Sequence, residues 1–122
     1  MKVGIIVAAD DPMRLYAAAT YAATELARGN EVGIFVTGRA VPLFAKGDHG
    51  DYPERRRMEE LGVTWAAILK EAKQLGLAIA VCETVAKIYG LGLGDFKTLD
   101  IVDEVTSMYT FLEKFGEKVV VF

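Results

Sequence analysis

Short apolar runs recur along the chain, and the stretches between them carry helix signals. Five such runs predict strands, at residues 2–8, 31–37, 77–82, 99–105 and 118–122. Three of them are apolar at nearly every position, which is typical of strands covered on both faces of a parallel sheet. The fourth is interrupted by Asp100, Asp103 and Glu104. The last, KVVVF, shows no polar alternation, and we therefore expect it to be buried.

The stretches between the apolar runs show where helices start and stop. The first has Asp11 before Pro12, a cap followed by proline at the first helical position, and it ends at Gly29-Asn30. Another starts on Thr64 and stops at Gly76, and two more are predicted in ETVAKIYG and TSMYTFLEKFG. Strands and helices alternate throughout, which predicts a parallel sheet with helices on both faces. No repeat or linker is visible, so residues 1–122 are expected to form a single domain.

Residues 38–63 are the exception to this regular alternation. RAVPLFA predicts a short helix, KGDHGDYPE is rich in turn formers, and ERRRMEE is typical of a solvated helix turn with balancing acids. Connections of this length are usually binding loops, interface elements or disordered. An anion or partner patch is the alternative for ERRRMEE. The role of the 46–62 loop and of His49 stays open, a solvated loop histidine being the simpler interpretation.

Composition narrows the class of protein. Apolar residues make up 52% and charged residues 25% of the 122 positions, the balance of a globular protein. The apolar runs reach about seven residues, far short of the roughly 20 that a membrane-spanning helix needs. A net charge of −3 argues against nucleic acid as the main partner. The single cysteine excludes an intramolecular disulfide and fits a reducing compartment. Because no signal peptide is recognised, we expect a cytoplasmic protein without a membrane span.

A candidate site lies where the predicted strands end, because ligands of open parallel sheets bind outside the carboxyl ends of the strands. Cys82 stands at the end of the third strand and just before a helix. The free N–H groups and dipole of a helix N-terminus stabilise an anion such as a thiolate, whereas the charge of Glu83 opposes it. The residues expected to contact a substrate share this edge: Thr37, Gly38, Arg39, Glu83 and Thr84.

The same residues allow simpler interpretations. Free cysteine is among the most buried residue types, so a Cys82 that merely packs in the core is the alternative. No histidine can be assigned to it as a base. No glycine-rich phosphate loop follows the first strand, where AADDPM places two acids. Caps and turns explain the acids at 10–11 and 48–51, together with His49, better than a metal site does. We expect neither a metal nor a cofactor.

Around the cysteine the sequence resembles a known family. VCETVAKIYGL ends a strand in Cys82 and places Ala86 four and Gly90 eight positions later. GIFVTGRAVPLFAKG after the second strand, KEAKQLGLAIAVCET before the cysteine and a closing TFLEKF helix follow in a matching order. Together these segments, which extend over essentially the whole chain, resemble the stand-alone DsrE-like branch of the DsrE/DsrF/TusD-like sulfur-relay family.

The resemblance implies a single DsrE-like domain, a three-layer α/β/α sandwich with a five-stranded parallel sheet. It also implies a cytoplasmic homo-oligomer, a trimer or hexamer. The matching cysteine of this family accepts sulfane sulfur as a persulfide and passes it to a partner thiol, a sulfurtransferase-like role that falls here on Cys82. The implied partners are sulfur-donor and sulfur-acceptor proteins or small thiols, since the chain has no second cysteine of its own.

Two other classes of protein remain as alternatives. One is a non-catalytic module that binds a small anion or nucleotide at the same edge. The other is a structural oligomer subunit in which Cys82 is buried and RAVPLF and the last helix make the contacts between subunits. The apolar residues 40–45 add to the expectation of an assembly larger than a dimer, because a small monomer would leave such a segment partly uncovered.

Overall fold

The computed structural model describes residues 1–47 and 50–122 of the chain. Its strands within these residues are β1 Lys2–Val7, β2 Glu31–Val36, β3 Ala78–Cys82, β4 Glu104–Thr106 and β5 Lys118–Val121. They form one sheet in the order β4-β3-β2-β1-β5, and every neighbouring pair is parallel. Helices cover both faces. The predicted fold class is confirmed: this is a three-layer α/β/α sandwich around a five-stranded parallel sheet.

The helices begin largely where the sequence predicts. They are α1 Pro12–Ala27, α2 Val41–Lys46, α3 Arg55–Leu61, α4 Trp65–Gln74, α5 Glu83–Ile88 and α6 Met108–Phe115. The carboxylate of Asp11 caps α1 by accepting the Met13 N–H at 3.1 Å, and the Thr64 hydroxyl caps α4 in the same way. No helix in the described part of the chain is both long enough and apolar enough to cross a membrane.

The larger core lies on one face of the sheet. Here α1 and α4 pack against each other, and α1 also packs on β1 and β2. The ring of Phe44 in α2 lies 4.8 Å from that of Trp65 in α4, centroid to centroid. Ile5 and Ile34, neighbours on β1 and β2, are fully buried beneath these helices. Burial of this apolar cluster is the main stabilising contribution to the fold.

The opposite face is covered by α6. Its Phe111 contacts Phe35 of β2, with ring centroids 5.3 Å apart. Gly4 and Gly33 are register partners on β1 and β2 and leave room for the helix. A Cβ atom on Gly33 would overlap the ring of Phe115, and one on Gly4 would overlap the Phe115 carbonyl oxygen. The two glycines therefore allow α6 to lie close against the middle of the sheet.

The fourth strand is shorter than the apolar pattern predicts. It covers Glu104–Thr106 rather than 99–105. Asp100 has a φ of +58°, in the left-handed region that a strand does not use. Asp103 bends the chain toward β3, where its carboxylate accepts the Ile79 N–H at 2.7 Å. The apolar residues of the run are nevertheless buried, from a connection rather than a strand: Leu99, Ile101 and Val102.

Two expectations about burial are wrong. β5 was expected to be buried, but Val119 and Val121 are 42% and 62% exposed, because β5 lies at the sheet edge with a neighbouring strand on one side. The apolar segment 40–45 was expected to need covering by another subunit. Instead its side chains contribute to the core of their own chain, with four of them buried: Ala40, Val41, Phe44 and Ala45. This segment therefore gives no reason for an assembly.

The long connection 38–63 contains the two predicted helical pieces. RAVPLFA contributes α2, preceded by a single 3₁₀ turn at Gly38–Ala40, and ERRRMEE contributes most of α3. The arginines of α3 form ion pairs within the helix, Arg55 with Glu59 and Arg57 with Glu60. The interpretation as a solvated helix turn with balancing acids is confirmed. His49 and Asp48 lie outside the described residues, so the expectations about them stay predictions.

Candidate functional site

The carboxyl ends of the parallel strands meet at one edge of the sheet. Hydrogen bonds between backbone groups continue past the strand ends there. The Ala8 N–H donates to the Phe122 carbonyl oxygen at 2.9 Å, and the Thr37 N–H donates to the Val7 carbonyl oxygen at 2.9 Å. These hydrogen bonds hold the first residues after β1 and β2 in place.

Cys82 occupies the middle of this edge. It is the last residue of β3 and the N-cap of α5, with φ −62° and ψ 118°. Val36 and Val81 are register partners, so Thr37, whose backbone is still extended, follows beside Cys82. On the other side Cys82 is paired with Thr106 of β4. Cys82 thus lies between Thr106 of β4 and Thr37, the residue that follows β2.

The Cys82 side chain belongs to the smaller, α6-facing cluster. It is half-buried and packs against the group formed by Phe35, Ala80 and Phe111. One side of the sulfur is therefore lined by apolar side chains, while part of the residue is accessible to solvent. This position permits reaction with a molecule that approaches from the edge. It also fits a cysteine that does no more than complete the cluster.

Glu83 and Thr84 open helix α5, as predicted, and both are exposed. Because the Glu83 carboxylate is exposed to water, its repulsion of a thiolate at Cys82 is screened. The first-turn N–H groups of a helix have no intrahelical acceptor, and they favour negative charge at the helix start. Solvent therefore weakens the charge that opposes an anion at Cys82.

Thr37, Gly38 and Arg39 form the turn that follows β2. Thr37 and Gly38 are half-buried, and Arg39 is exposed. Gly38 has a φ of +54°, which disfavours other residues, and a Cβ there would lie 3.1 Å from the Ala8 carbonyl oxygen. The structure brings Thr37 to the same edge as Cys82. The part that Arg39 plays toward a substrate stays a prediction.

A groove between α6 and the β3–β4 side of the sheet continues this face. Its volume is about 390 Å³, and its lining includes Ala78, Ala80, Phe111, Lys114 and Phe115. Lys114 pairs with Glu104 across the rim at 3.4 Å. Ala80 precedes Cys82 by two residues on the same face of β3, about 7 Å along the strand. The groove therefore approaches the thiol from the amino-terminal side of the strands.

The sequence pattern places Thr106 at the carboxyl ends of the strands but not beside Cys82, and Phe111 and the groove do not follow from it. Thr106 becomes a neighbour of Cys82 only through the pairing of β3 with β4, and a strand order cannot be derived from apolar runs. The usable signal was the polar pair Thr106-Ser107 directly after a strand run, at the same edge as the cysteine. Among residues 1–47 and 50–122, no group of three or more His, Cys, Asp and Glu residues is placed to hold a metal ion.

No protein-family model matches the chain, and no curated protein matches it. Solved structures do. A conserved protein of unknown function from Bacteroides thetaiotaomicron, BT1422, superposes with a TM-score of 0.67 at 22% identity, covering 99% of this chain and 94% of its own. MTH1491 from Methanobacterium thermoautotrophicum, also of unknown function, superposes with a TM-score of 0.68 at 13% identity, covering 98% and 97%. At these identities the likeness shows a shared fold.

Proposed function

We propose that this protein is a cysteine-dependent sulfur carrier, in which Cys82 accepts sulfane sulfur as a persulfide and passes it to a partner thiol. The observation that supports this most is the position of the chain's one cysteine. It ends an interior strand, half-buried, between Thr37 and Thr106 at the edge where parallel sheets bind ligands. The resemblance of VCETVAKIYGL to sulfur-relay proteins supplies the chemistry.

The first step of the proposed reaction loads Cys82. Its thiolate attacks the sulfane sulfur of a donor such as a persulfidic protein, thiosulfate or polysulfide. A sulfur–sulfur bond forms to Cys82 while the sulfur–sulfur bond of the donor breaks, and the donor leaves with the electron pair as a thiolate, sulfite or shorter polysulfide. The displacement follows the logic of thiol–disulfide exchange and needs no external oxidant.

The second step unloads Cys82. A thiolate of the acceptor, a protein or a small thiol, attacks the outer sulfur of the persulfide. The acceptor becomes the persulfide, and Cys82 leaves as the thiolate, so the carrier returns to its starting state. The acceptor must be another molecule because this chain holds no second cysteine.

The neighbouring residues have separate roles in this scheme. The backbone N–H groups of Thr84 and Val85, in the first turn of α5, stabilise the negative charge of the thiolate and persulfide. The hydroxyls of Thr37 and Thr106 donate to the sulfur or to the incoming donor. Arg39 attracts an anionic donor, and Gly38 allows the turn that carries it. Glu83 and Thr84 contact the partner from the solvent side.

The proposal includes the setting in which the carrier works. We place it in the cytoplasm, as a homo-oligomer of trimer or hexamer order that meets donor and acceptor proteins or small thiols. The chain's charge of −3 and lack of a basic excess argue against nucleic acid as a partner.

One observation favours a second candidate, a structural oligomer subunit. Cys82 contacts the cluster of Phe35, Ala80 and Phe111, as a packing residue would.

The rate at which the thiol reacts separates the carrier from the structural subunit. For a carrier, iodoacetamide at neutral pH should alkylate Cys82 in the folded protein at least as fast as in the urea-unfolded chain, because a carrier's thiol must be open to its donor at the edge of the sheet. A matched Thr106→Val variant, similar in shape but without the hydroxyl, should react more slowly. Alkylation many-fold slower in the folded protein would support the structural subunit.

A further inference from the structure

Among residues 1–47 and 50–122, no strand pairs with the outer edge of β5, so the backbone groups on that side have no strand partner. Phe122 directs its peptide groups at β1, since its N–H donates to the Ile6 carbonyl oxygen at 2.7 Å and its carbonyl accepts the Ala8 N–H at 2.9 Å. Successive residues of a strand direct these groups to alternate sides. Val119 and Val121 therefore direct their N–H and C=O groups away from β1, at the open side of the edge strand. Such a row is a template for pairing with another strand.

The side chains of this edge are apolar and carry no protecting charge. Val119 and Val121 lie on the same side of the sheet as α6, and they are 42% and 62% exposed. Edge strands are commonly protected from pairing by a lysine. β5 has Lys118, but its side chain turns the other way, onto α1, where Nζ lies 3.4 Å from the buried carboxylate of Glu25 and 5.7 Å from the centre of the Tyr21 ring. The charge of Lys118 is therefore paired on the α1 side of the sheet, away from the two valines.

We propose that the β5 edge pairs with the β5 edge of a second copy of this chain. A two-fold axis perpendicular to the sheet makes the two strands antiparallel. With that axis at Val120, Val119 of each copy faces Val121 of the other, and each such pair exchanges both of its N–H···O=C bonds. The exposed valines then cover one another on the α6 face. The two sheets become one continuous sheet across both copies.

The side chains of β5 favour pairing with a second copy, and they favour an axis at Val120 over an axis at Val119. An axis at Val119 would instead place Glu117 opposite a valine of the second copy, leaving a carboxylate against an apolar partner. With the axis at Val120, the charged group nearest the pairing is Lys118, which Glu25 holds on the α1 side. The edge is therefore complementary to itself, an arrangement that an isologous contact requires.

The proposed contact is independent of the sulfur chemistry. β5 and β3 are separated by β2 and β1, so the edge lies about 14 Å from Cys82 across the sheet. A two-fold contact is present in a hexamer with dihedral symmetry and absent from a simple trimer. If both proposals hold, the assembly order is a multiple of two.

A proline tests the pairing, because it removes an N–H from the open side and leaves the bonds to β1 in place. Val119→Pro is compared with Val119→Thr, which keeps the N–H and a β-branched side chain. In sedimentation velocity across rising concentration, the wild type and Val119→Thr should reach an even multiple of the 13.3 kDa chain mass. Val119→Pro should show half the wild-type mass with unchanged circular dichroism. A folded Val119→Pro at wild-type mass, or a wild type that stays monomeric, would overturn the proposal.

Amide hydrogen exchange of the wild type keeps the test decisive if the proline variant fails to fold. The Val119 and Val121 amides should exchange many-fold more slowly at high protein concentration than at low concentration, while the amides of exposed loops should not change. Exchange at these two amides that is independent of concentration would contradict pairing with a second copy. Protection that appears only on adding an extended peptide would show that the edge receives a different partner.

Discussion

At the scale of single residues, Gly4 and Gly33 allow a close approach between a helix and the sheet. These register partners lie beneath α6, and the Phe115 ring occupies the volume in which a Cβ of Gly33 would stand. The glycines appear in the sequence inside strand runs, where glycine ordinarily weakens a strand. The close approach of the helix explains why the runs KVGIIV and EVGIFV tolerate it.

Gly33→Ala should lower the free energy of unfolding by about 1–3 kcal/mol, because the new methyl group forces Phe115 or the whole of α6 to shift. The matched control is Gly94→Ala, since a Cβ at Gly94 meets no atom within 4 Å. Urea denaturation monitored by circular dichroism gives both values. If the two variants were equally stable, α6 would not lie as close to β2 as described.

The residues of the candidate site were predictable to different degrees. Cys82 could be placed at a strand end and before a helix from the sequence, because the run LAIAVC and the helix signals of ETVAKIYG meet there. Thr37 followed from the end of the second run. Thr106 could not be recognised as a neighbour, because that depends on β4 pairing with β3, and the contact of Cys82 with Phe111 depends on which face α6 covers.

At the scale of elements, α1 and β5 are joined by a buried charge. Glu25 of α1 is 1% exposed, and its Oε2 accepts from the Tyr21 hydroxyl at 3.2 Å and from Lys118 Nζ at 3.4 Å. Its Oε1 lies 3.2 Å from Arg28 Nη1. Burial raises the pKa of Glu25, but the charge and hydrogen bond of Lys118, then Arg28 and Tyr21, outweigh it and lower the pKa below its ordinary value. The pKa of Lys118 is raised by Tyr21 and Glu25.

These pKa shifts determine the pH range in which the contact between Glu25 and Lys118 stabilises the fold. A carboxyl whose pKa is lower in the folded chain contributes stability that is complete above the unfolded pKa of about 4.3 and is lost as the pH falls through the folded value. The raised pKa of Lys118 makes its contribution complete below about pH 10, with loss only as the pH rises through its folded value. Both contributions are therefore present at neutral pH.

Lys118→Met should destabilise the protein at neutral pH, because it removes one of the two cations beside the buried Glu25 carboxylate and leaves it with Arg28 and the Tyr21 hydroxyl. The difference from the wild type should narrow as the pH falls through the lowered pKa of Glu25 in the folded protein, because the carboxyl is then protonated in both proteins. Urea denaturation from pH 3 to pH 7 measures this. Lys114→Met serves as the control, since it breaks an exposed pair with Glu104 worth about 0–1 kcal/mol. A loss for Lys118→Met that does not change with pH would contradict the described role of Glu25.

The elements themselves were largely predictable, apart from β4. The caps at Asp11 and Thr64 and the glycines at the far ends, Gly29 and Gly76, located α1 and α4. The apolar run 99–105 led to a strand prediction that is too long, because apolar residues can be buried without lying in a strand. Its aliphatic side chains enter the core from a connection that turns at Asp100, and Asp103 ties that connection to β3 and to Lys73 of α4 through its carboxylate.

At the scale of the whole molecule, the two faces of the sheet differ. One carries α1 and α4 over a large core, and the other carries α6 over a small cluster that includes Cys82. Alternation of strands and helices predicted a parallel sheet covered on both faces. It could not predict that one face would bury a much larger core than the other. The position of β5 at an edge, and hence the exposure of Val119 and Val121, depends on strand order, which local patterns do not contain.

The central claim is that Cys82 carries sulfur, and intact-mass measurement after incubation with polysulfide tests it most directly. The account predicts a gain of one sulfur atom on the folded protein, its loss on adding a reductant, and its transfer to an added low-molecular-weight thiol. Cys82→Ser should remain folded and gain no mass, because the chain has no other cysteine. A wild-type protein that gains no sulfur while folded, together with a markedly destabilised Cys82→Ser, would show that Cys82 is a packing residue and contradict the account.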